Sequence, residues 1–115
     1  MSSHYAKLPP LLRAAGAGDD AKVKRLLKAR ADVNGAFTVR GVGGTTALQA
    51  ACNNGHIGAT RLLLKAKATL DLRDARGCSA LYGACSWEQL GCAQLLLEAK
   101  ALIDLPAVDG ATRPP

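Results

Sequence analysis

Apolar positions along the chain fall in short clusters that return at a fixed spacing. Displaced by 33 residues, the sequence matches itself. Gly44 falls on Gly77 and then on Gly110, and Thr46 falls on Ser79 and then on Thr112. Ala47-Leu48 meets Ala80-Leu81, Ala51-Cys52 meets Ala84-Cys85, and Leu62-Leu63-Leu64 meets Leu95-Leu96-Leu97. Polar positions repeat as well: Lys65-Ala66-Lys67-Ala68 meets Glu98-Ala99-Lys100-Ala101, and Asp71-Leu72 meets Asp104-Leu105. An earlier copy, Ala14-Ala15, Gly18, Leu26-Leu27 and Lys28-Ala29-Arg30-Ala31, keeps the order 37 positions before its partners. The four additional residues lie between Asn34 and Gly44, where the chain is Gly-rich and reads as a loop.

Each unit predicts two short helices and a turn. In the second unit Thr46 is a candidate N-cap for a helix running to about Asn53. Gly55 breaks the chain, and a second helix follows from Ile57 to about Lys65, with Ala59, Leu63 and Leu64 on its apolar face. Pro9-Pro10 ahead of Leu11 suits the start of the first helix. No unit can bury its apolar face alone. Stacking buries it against the next unit, which predicts a linear solenoid.

Composition agrees. Ala and Leu supply 22 and 18 of the 115 residues, and aromatics only 3%. Ala and Leu lead the helix propensities, and strand formers are scarce, so the class is all-α. At this length the chain is one domain. No apolar run reaches a membrane-spanning length. Met1 to Tyr5 lacks the apolar core of a secretory signal, so the expected location is the cytoplasm, with the nucleus open.

The segment Gly44-Thr45-Thr46-Ala47-Leu48-Gln49-Ala50-Ala51-Cys52-Asn53-Asn54-Gly55-His56 resembles the ankyrin-repeat family pattern G-x-T-P-L-H-x-A-A-x-x-G-H. Asp32-Val33-Asn34 matches the D-V-N that ends a family unit. The resemblance runs over about residues 10 to 112. It implies an ankyrin-like helical solenoid of three helix-turn-helix units with finger loops or β-hairpins between them. On this reading residues 1–7 are a disordered tail, and the repeat domain spans 8–115. The units cover about 8–40, 41–73 and 74–106, with a partial unit at 107–115. Leu72 to Gly77 would be a finger.

The chain departs from the pattern in three places. The family Pro and His are replaced by Ala47 and Gln49 and by Ala80 and Tyr82, which predicts a looser polar network between units. The Gly after the second helix is replaced by Arg30, Lys67 and Lys100. A left-handed backbone there costs about 1 kcal/mol per site, part of which a cation at a helix C-terminus offsets. The third unit has Glu88-Gln89 in place of Gly-His.

Candidate chemistry is sparse. His4 lies in the tail and His56 matches a structural family position, and no Ser/His/Asp or Cys/His constellation assembles around either. The glycines at 41, 43 and 44 do not make a phosphate loop. The four cysteines show no C-x2-C pair, so no metal ligand set or cofactor is expected. Cys52, Cys85 and Cys92 read as small buried hydrophobes, and Cys78, beside Gly77, as the exposed thiol.

Net charge is +6. Arg30, Lys67 and Lys100 recur at one repeat position and form a basic column, either a solvated edge or a dock for an acidic surface. No aromatics are interleaved with the basic residues, which argues against nucleic acid.

The expected function is therefore a non-catalytic protein-binding module without a small-molecule substrate or a membrane. A regulatory or targeting fragment of a larger enzyme is the second reading. The family binds partners through finger tips and the concave face of the first helices. That resemblance implies Phe37, Arg40, Val42 and Thr45 in the first finger. It implies Asn53 and Asn54 on the second unit, and Arg76, Cys78, Ser86 and Trp87 on the third.

Overall fold

Pro10, at the first position of the first helix, supplies a pre-set φ where no N–H partner is needed. From it α1 runs Pro10–Ala17 and ends at Gly18, in the left-handed conformation. Asp19 then caps α2, Asp20–Lys28, by accepting the Lys22 N–H at 3.2 Å. In the computed structural model, residues 8–99 are described. The expected tail at 1–7, the partial unit at 107–115 and Lys100 in the basic column lie outside the described residues.

A hairpin follows, with β1, Ala36–Val39, pairing antiparallel with β2, Val42–Thr46. Phe37 opposes Thr45 and Val39 opposes Val42, so Thr38 faces both Gly43 and Gly44. The additional residue on β2 is a bulge that kinks the ladder, and Gly44 there has a φ of 76°. Arg40 and Gly41 at the tip have φ of 52° and 82°. Two successive positive φ values make the two-residue turn whose twist suits a hairpin. The residues that read as a Gly-rich loop are therefore an ordered finger.

Thr46 ends β2 and caps α3, Ala47–Asn53. Its hydroxyl accepts the Gln49 N–H at 3.3 Å, and the Gln49 side chain accepts the Thr46 N–H at 3.0 Å. This reciprocal pair satisfies two N–H groups that a helix start leaves open. After Gly55, α4 spans Ile57–Lys65. Ser79 repeats the cap on α5, Ala80–Ser86, and α6 spans Leu90–Glu98.

The helices stack in two layers. In the inner layer α3 lies between α1 and α5, and in the outer layer α4 lies between α2 and α6. Each inner helix packs on the outer helix of its own unit. The core is the continuous seam between layers: Leu11, Leu12, Val23, Leu48, Ala51, Ala59, Leu63, Leu81, Ala84 and Leu96 are buried. Small residues at 51, 59 and 84 let the helices approach closely. Leu64, expected in the core, is half-buried, and Thr60 takes a fully buried place instead, its hydroxyl donating to the His56 carbonyl at 2.8 Å.

Arg30 and Lys67 have φ of 68° and 66°, so the expected left-handed position is occupied by cations in both described units. The backbone closes each helix there as glycine would. Arg30 N–H donates to the Leu27 carbonyl and Lys67 N–H to the Leu64 carbonyl, both at 3.0 Å.

The expected looser network is corrected at the second junction. Gln49, standing where the family has His, donates to the Leu72 carbonyl at 2.9 Å and to the Cys78 carbonyl at 3.4 Å. Its longer side chain serves the cap and the next finger together. Further bonds tie units together, among them Asn54 to the Gly16 carbonyl, Thr69 N–H to Asn34, and Gln89 to the Asn53 carbonyl.

Candidate functional site

The second finger begins at Asp74, whose carboxylate is held from several sides. Its side chain is only 6% exposed. One carboxylate oxygen accepts the N–H groups of Arg76 at 2.9 Å and Cys78 at 3.0 Å. The other meets the Arg76 guanidinium at 3.2 Å. The Ala75 N–H donates across to the Gly43 carbonyl at 2.8 Å, which fastens this finger to the edge of β2. Among the described residues the finger is a turn built on one carboxylate, without strands.

Against this turn the inner helices form a cleft of about 330 Å³. Gln49 and Asn53 of α3 form one side, Tyr82, Gly83 and Ser86 of α5 with Trp87 the other, and Asp74, Arg76, Cys78 and Ser79 the finger wall. Trp87 ends α5 and leaves 66% of its surface exposed. The Arg76 side chain is 60% exposed. The Asn53 side-chain oxygen Oδ1 is buried against Gly83 without a hydrogen-bond partner. Among the described residues the cleft thus offers an aromatic plate, a cation and hydroxyl groups, and its one carboxylate is already engaged.

Of the residues that the sequence nominates, Asn53, Arg76, Cys78, Ser86 and Trp87 come together here. Phe37, Arg40 and Val42 lie apart on the first finger, the first two exposed and Val42 half-buried. Thr45 is buried, its hydroxyl donating to the Val42 carbonyl at 3.3 Å. Asn54 is exposed, but its amide is engaged with the Gly16 carbonyl at 2.8 Å. Sequence reasoning missed Gln49, Asp74, Ser79 and Tyr82. The signal for Asp74 was the Asp-Ala-Arg-Gly turn composition, in which Asp accepts from the residues that follow it.

Replacing Asp74 by Ala leaves the Arg76 and Cys78 N–H groups without their acceptor. The expected cost is about 1–3 kcal/mol. Denaturant titration reads that loss, and the Cys78 thiol should be labelled faster as the finger opens. Most of the effect comes from the capped backbone, since an ion pair to an exposed Arg contributes about 0–1 kcal/mol.

The cysteines divide differently from expectation. Cys52 and Cys92 are buried, and both sulfurs lie against the Thr60 hydroxyl, at 3.6 and 3.5 Å. Cys85, expected in the core, is exposed. Its counterpart Cys52 is covered by α4 and α6, whereas no helix of a further unit lies over Cys85 among the described residues. Cys78, expected to be the exposed thiol, is half-buried.

Burial pushes the Cys52 thiol up to about 12, against the Thr60 hydrogen bond and with help from Cys92. Burial raises Cys78 too, reinforced by Asp74 and opposed by Arg76 and Arg73. Neither is an activated nucleophile. A thiol reagent at neutral pH should label Cys85 first, Cys78 more slowly, and Cys52 and Cys92 only on unfolding. Because folding raises the Cys52 pKa above 9.0, its stabilising effect is complete below that pH and is lost as pH rises toward about 12. Cys52→Ala should remove that part of the alkaline decline in melting temperature. No cluster of three or more metal-ligating side chains is found among the described residues, and none of their helices is long and apolar enough to cross a membrane.

Comparison with known proteins agrees with this geometry. The crystal structure of the human ASB11 ankyrin repeat domain superposes with a TM-score of 0.76 at 28% sequence identity. The match covers 85% of this chain and 42% of that one, so the chain spans less than half of the ASB11 domain. The family model described as Ankyrin repeats (3 copies) matches residues 11–107. With its paired helices, fingers and inter-unit bonds, the chain belongs to the ankyrin-repeat family.

Proposed function

We propose that this chain is a non-catalytic binding module that holds an extended acidic segment of a protein partner in the cleft between the second finger and α5. Ankyrin repeats are in general protein–protein interaction modules. The observation that carries the reading is Trp87, a large aromatic exposed at the mouth of a cleft whose exposed charged group is the Arg76 guanidinium, paired on one side with the buried Asp74 carboxylate. A Trp side chain covers about 150–250 Å². Burying the exposed 66% at about 25 cal/mol per Å² is worth about 3 kcal/mol before ordering costs, the scale of a hot spot.

Arg76 complements that plate. Its guanidinium donates to a carboxylate in a planar fork while an apolar neighbour of that carboxylate rests on Trp87. The Tyr82 and Ser86 side chains add polar recognition along the floor. Phe37 and Arg40 extend the surface on the first finger, and the Arg30 and Lys67 column steers an acidic partner over a longer range. Free thiols at all four cysteines suit a reducing cytoplasm or nucleus.

A photoreactive residue in place of Ser86 tests the site against one in place of Lys24, on the outer helix α2. In extract of the source cells, the Ser86 variant should cross-link a discrete partner at sites beside Asp or Glu. Capture through position 24 alone would overturn the placement.

A further inference from the structure

The outer helices repeat charge as well as apolar positions. At the 37-residue displacement Lys24 and Lys28 of α2 fall on Arg61 and Lys65 of α4, and Arg30 falls on Lys67 just beyond the two helices. All six are exposed. A spacing of four puts the two cations of each helix about 5–6 Å apart, and packed helices lie about 8–10 Å apart. The cations therefore form a two-row field across neighbouring helices, to which the exposed Arg25 adds.

The fold leaves this field open. Helix α4 lies between α2 and α6, yet Arg61 and Lys65 are exposed, so a neighbouring unit on either side does not cover these positions. Among the described residues none of the six cations has a side-chain hydrogen bond or ion pair. Four carboxylates border the field at the helix ends. Asp19 caps α2, Asp20 lies over Gly58, Asp32 accepts the Asn34 N–H, and Asp71 also has a partner. The cations outnumber them. Helix dipoles do not account for the surplus. A cation in the last turn complements a helix C-terminus, but Lys24 and Arg61 lie mid-helix. The third unit, moreover, folds with Gln94 and Glu98 at the same places.

We propose that this outer face rests on an anionic membrane surface, with acidic phospholipid headgroups as its counter-charge. A protein interface is built on aromatic or apolar anchors and is depleted in Lys. Among the described residues the exposed large hydrophobics avoid α2 and α4, apart from Ile57 at the start of α4. Duplex nucleic acid presents its phosphates as ridges beside grooves about 12 and 6 Å wide, which a long stripe of cations follows. This field is instead about as broad as it is long, and it stops at Gln94 and Glu98. Long, flexible side chains suit headgroups that move freely in the plane of a bilayer.

The contact needs no spanning segment, and none of the described helices could supply one. It replaces the expectation of no membrane, which rested on the lack of a spanning run. Inner and outer helices form opposite layers, so a chain lying on its outer face turns the cleft away from the lipid. None of the six cations lines that cleft, so the proposal stands apart from its reading.

Co-sedimentation of the full chain with vesicles, at about 0.1 M salt, is the test. Vesicles of phosphatidylcholine with phosphatidylserine should bind the chain, and vesicles of phosphatidylcholine alone should not. Near such a surface each cation contributes about fivefold to binding. Lys24→Gln, Lys28→Gln, Arg61→Gln and Lys65→Gln together should weaken binding by about a hundredfold or more, with unchanged helical circular dichroism. Gln94→Lys with Glu98→Lys extends the field over the third unit and should strengthen binding by about tenfold or more. A chain that ignores the anionic vesicles overturns the proposal. Equal binding by the fourfold variant, or no gain from the added lysines, takes the contact off this face. Transfer of the bound chain to a short DNA duplex at equal phosphate concentration would assign the face to nucleic acid instead.

Discussion

Leu63→Ala is expected to cost about 2–5 kcal/mol, the range for deleting a buried leucine side chain from a core that cannot close over the gap. Leu63 is 0% exposed and lies on the middle outer helix, α4, between α2 and α6. The cavity would open where neighbouring units meet, so it weakens the seam on both sides at once. A domain of this size has about 5–15 kcal/mol in all, so the loss is a large fraction of its stability. At about 4–8 °C per kcal/mol, the melting temperature falls by at least about 8 °C. Thermal unfolding followed by circular dichroism measures it. An unchanged midpoint would remove Leu63 from the core and α4 from its register.

Trp87→Ala separates binding from folding. Trp87 is the C-cap residue of α5 and mostly exposed, and its N–H, which bonds the Gly83 carbonyl at 3.0 Å, survives the substitution. Stability should therefore stay within about 1 kcal/mol. Affinity for the captured partner should fall by at least about 2 kcal/mol, roughly thirtyfold, as for a hot-spot aromatic. Denaturant titration and calorimetric titration of the same variant read the two quantities. Loss of stability with unchanged affinity would make Trp87 a plug over the end of the stack.

What was legible in the sequence was what depends on neighbours along the chain. The self-match at 33 residues, the Thr46 cap and the Gly55 break placed α3 and α4, because caps, breaks and apolar periodicity act within one turn of a helix. The left-handed Arg30 and Lys67 followed from alignment alone. Contacts across units were harder to read. Gln49 looked like a lost histidine, yet its amide reaches two carbonyls on the following finger, a matter of side-chain length and stacking distance.

Cys85 shows a second limit. It has the same repeat position as Cys52 and shares the Ala-Leu and Ala-Cys of its helix, yet one is buried and the other exposed. Burial in a solenoid belongs to the place in the stack as much as to the residue. The cleft was half legible for the same reason. Asn53, Arg76, Cys78, Ser86 and Trp87 were nominated by position, but the carboxylate that shapes their wall, Asp74, is a turn residue whose partners only the folded finger assembles.

Trp87 is also the sole tryptophan of the chain, so it reports on the cleft without any change to the natural sequence. Incorporating fluorotryptophan and recording fluorine NMR isolates it from aromatics in the partner. With the partner captured through position 86 added to saturation, the Trp87 resonance should shift and lose its solvent isotope effect as the ring is desolvated. A resonance that keeps its position and solvent exposure while the partner is bound would contradict a docking site in the cleft.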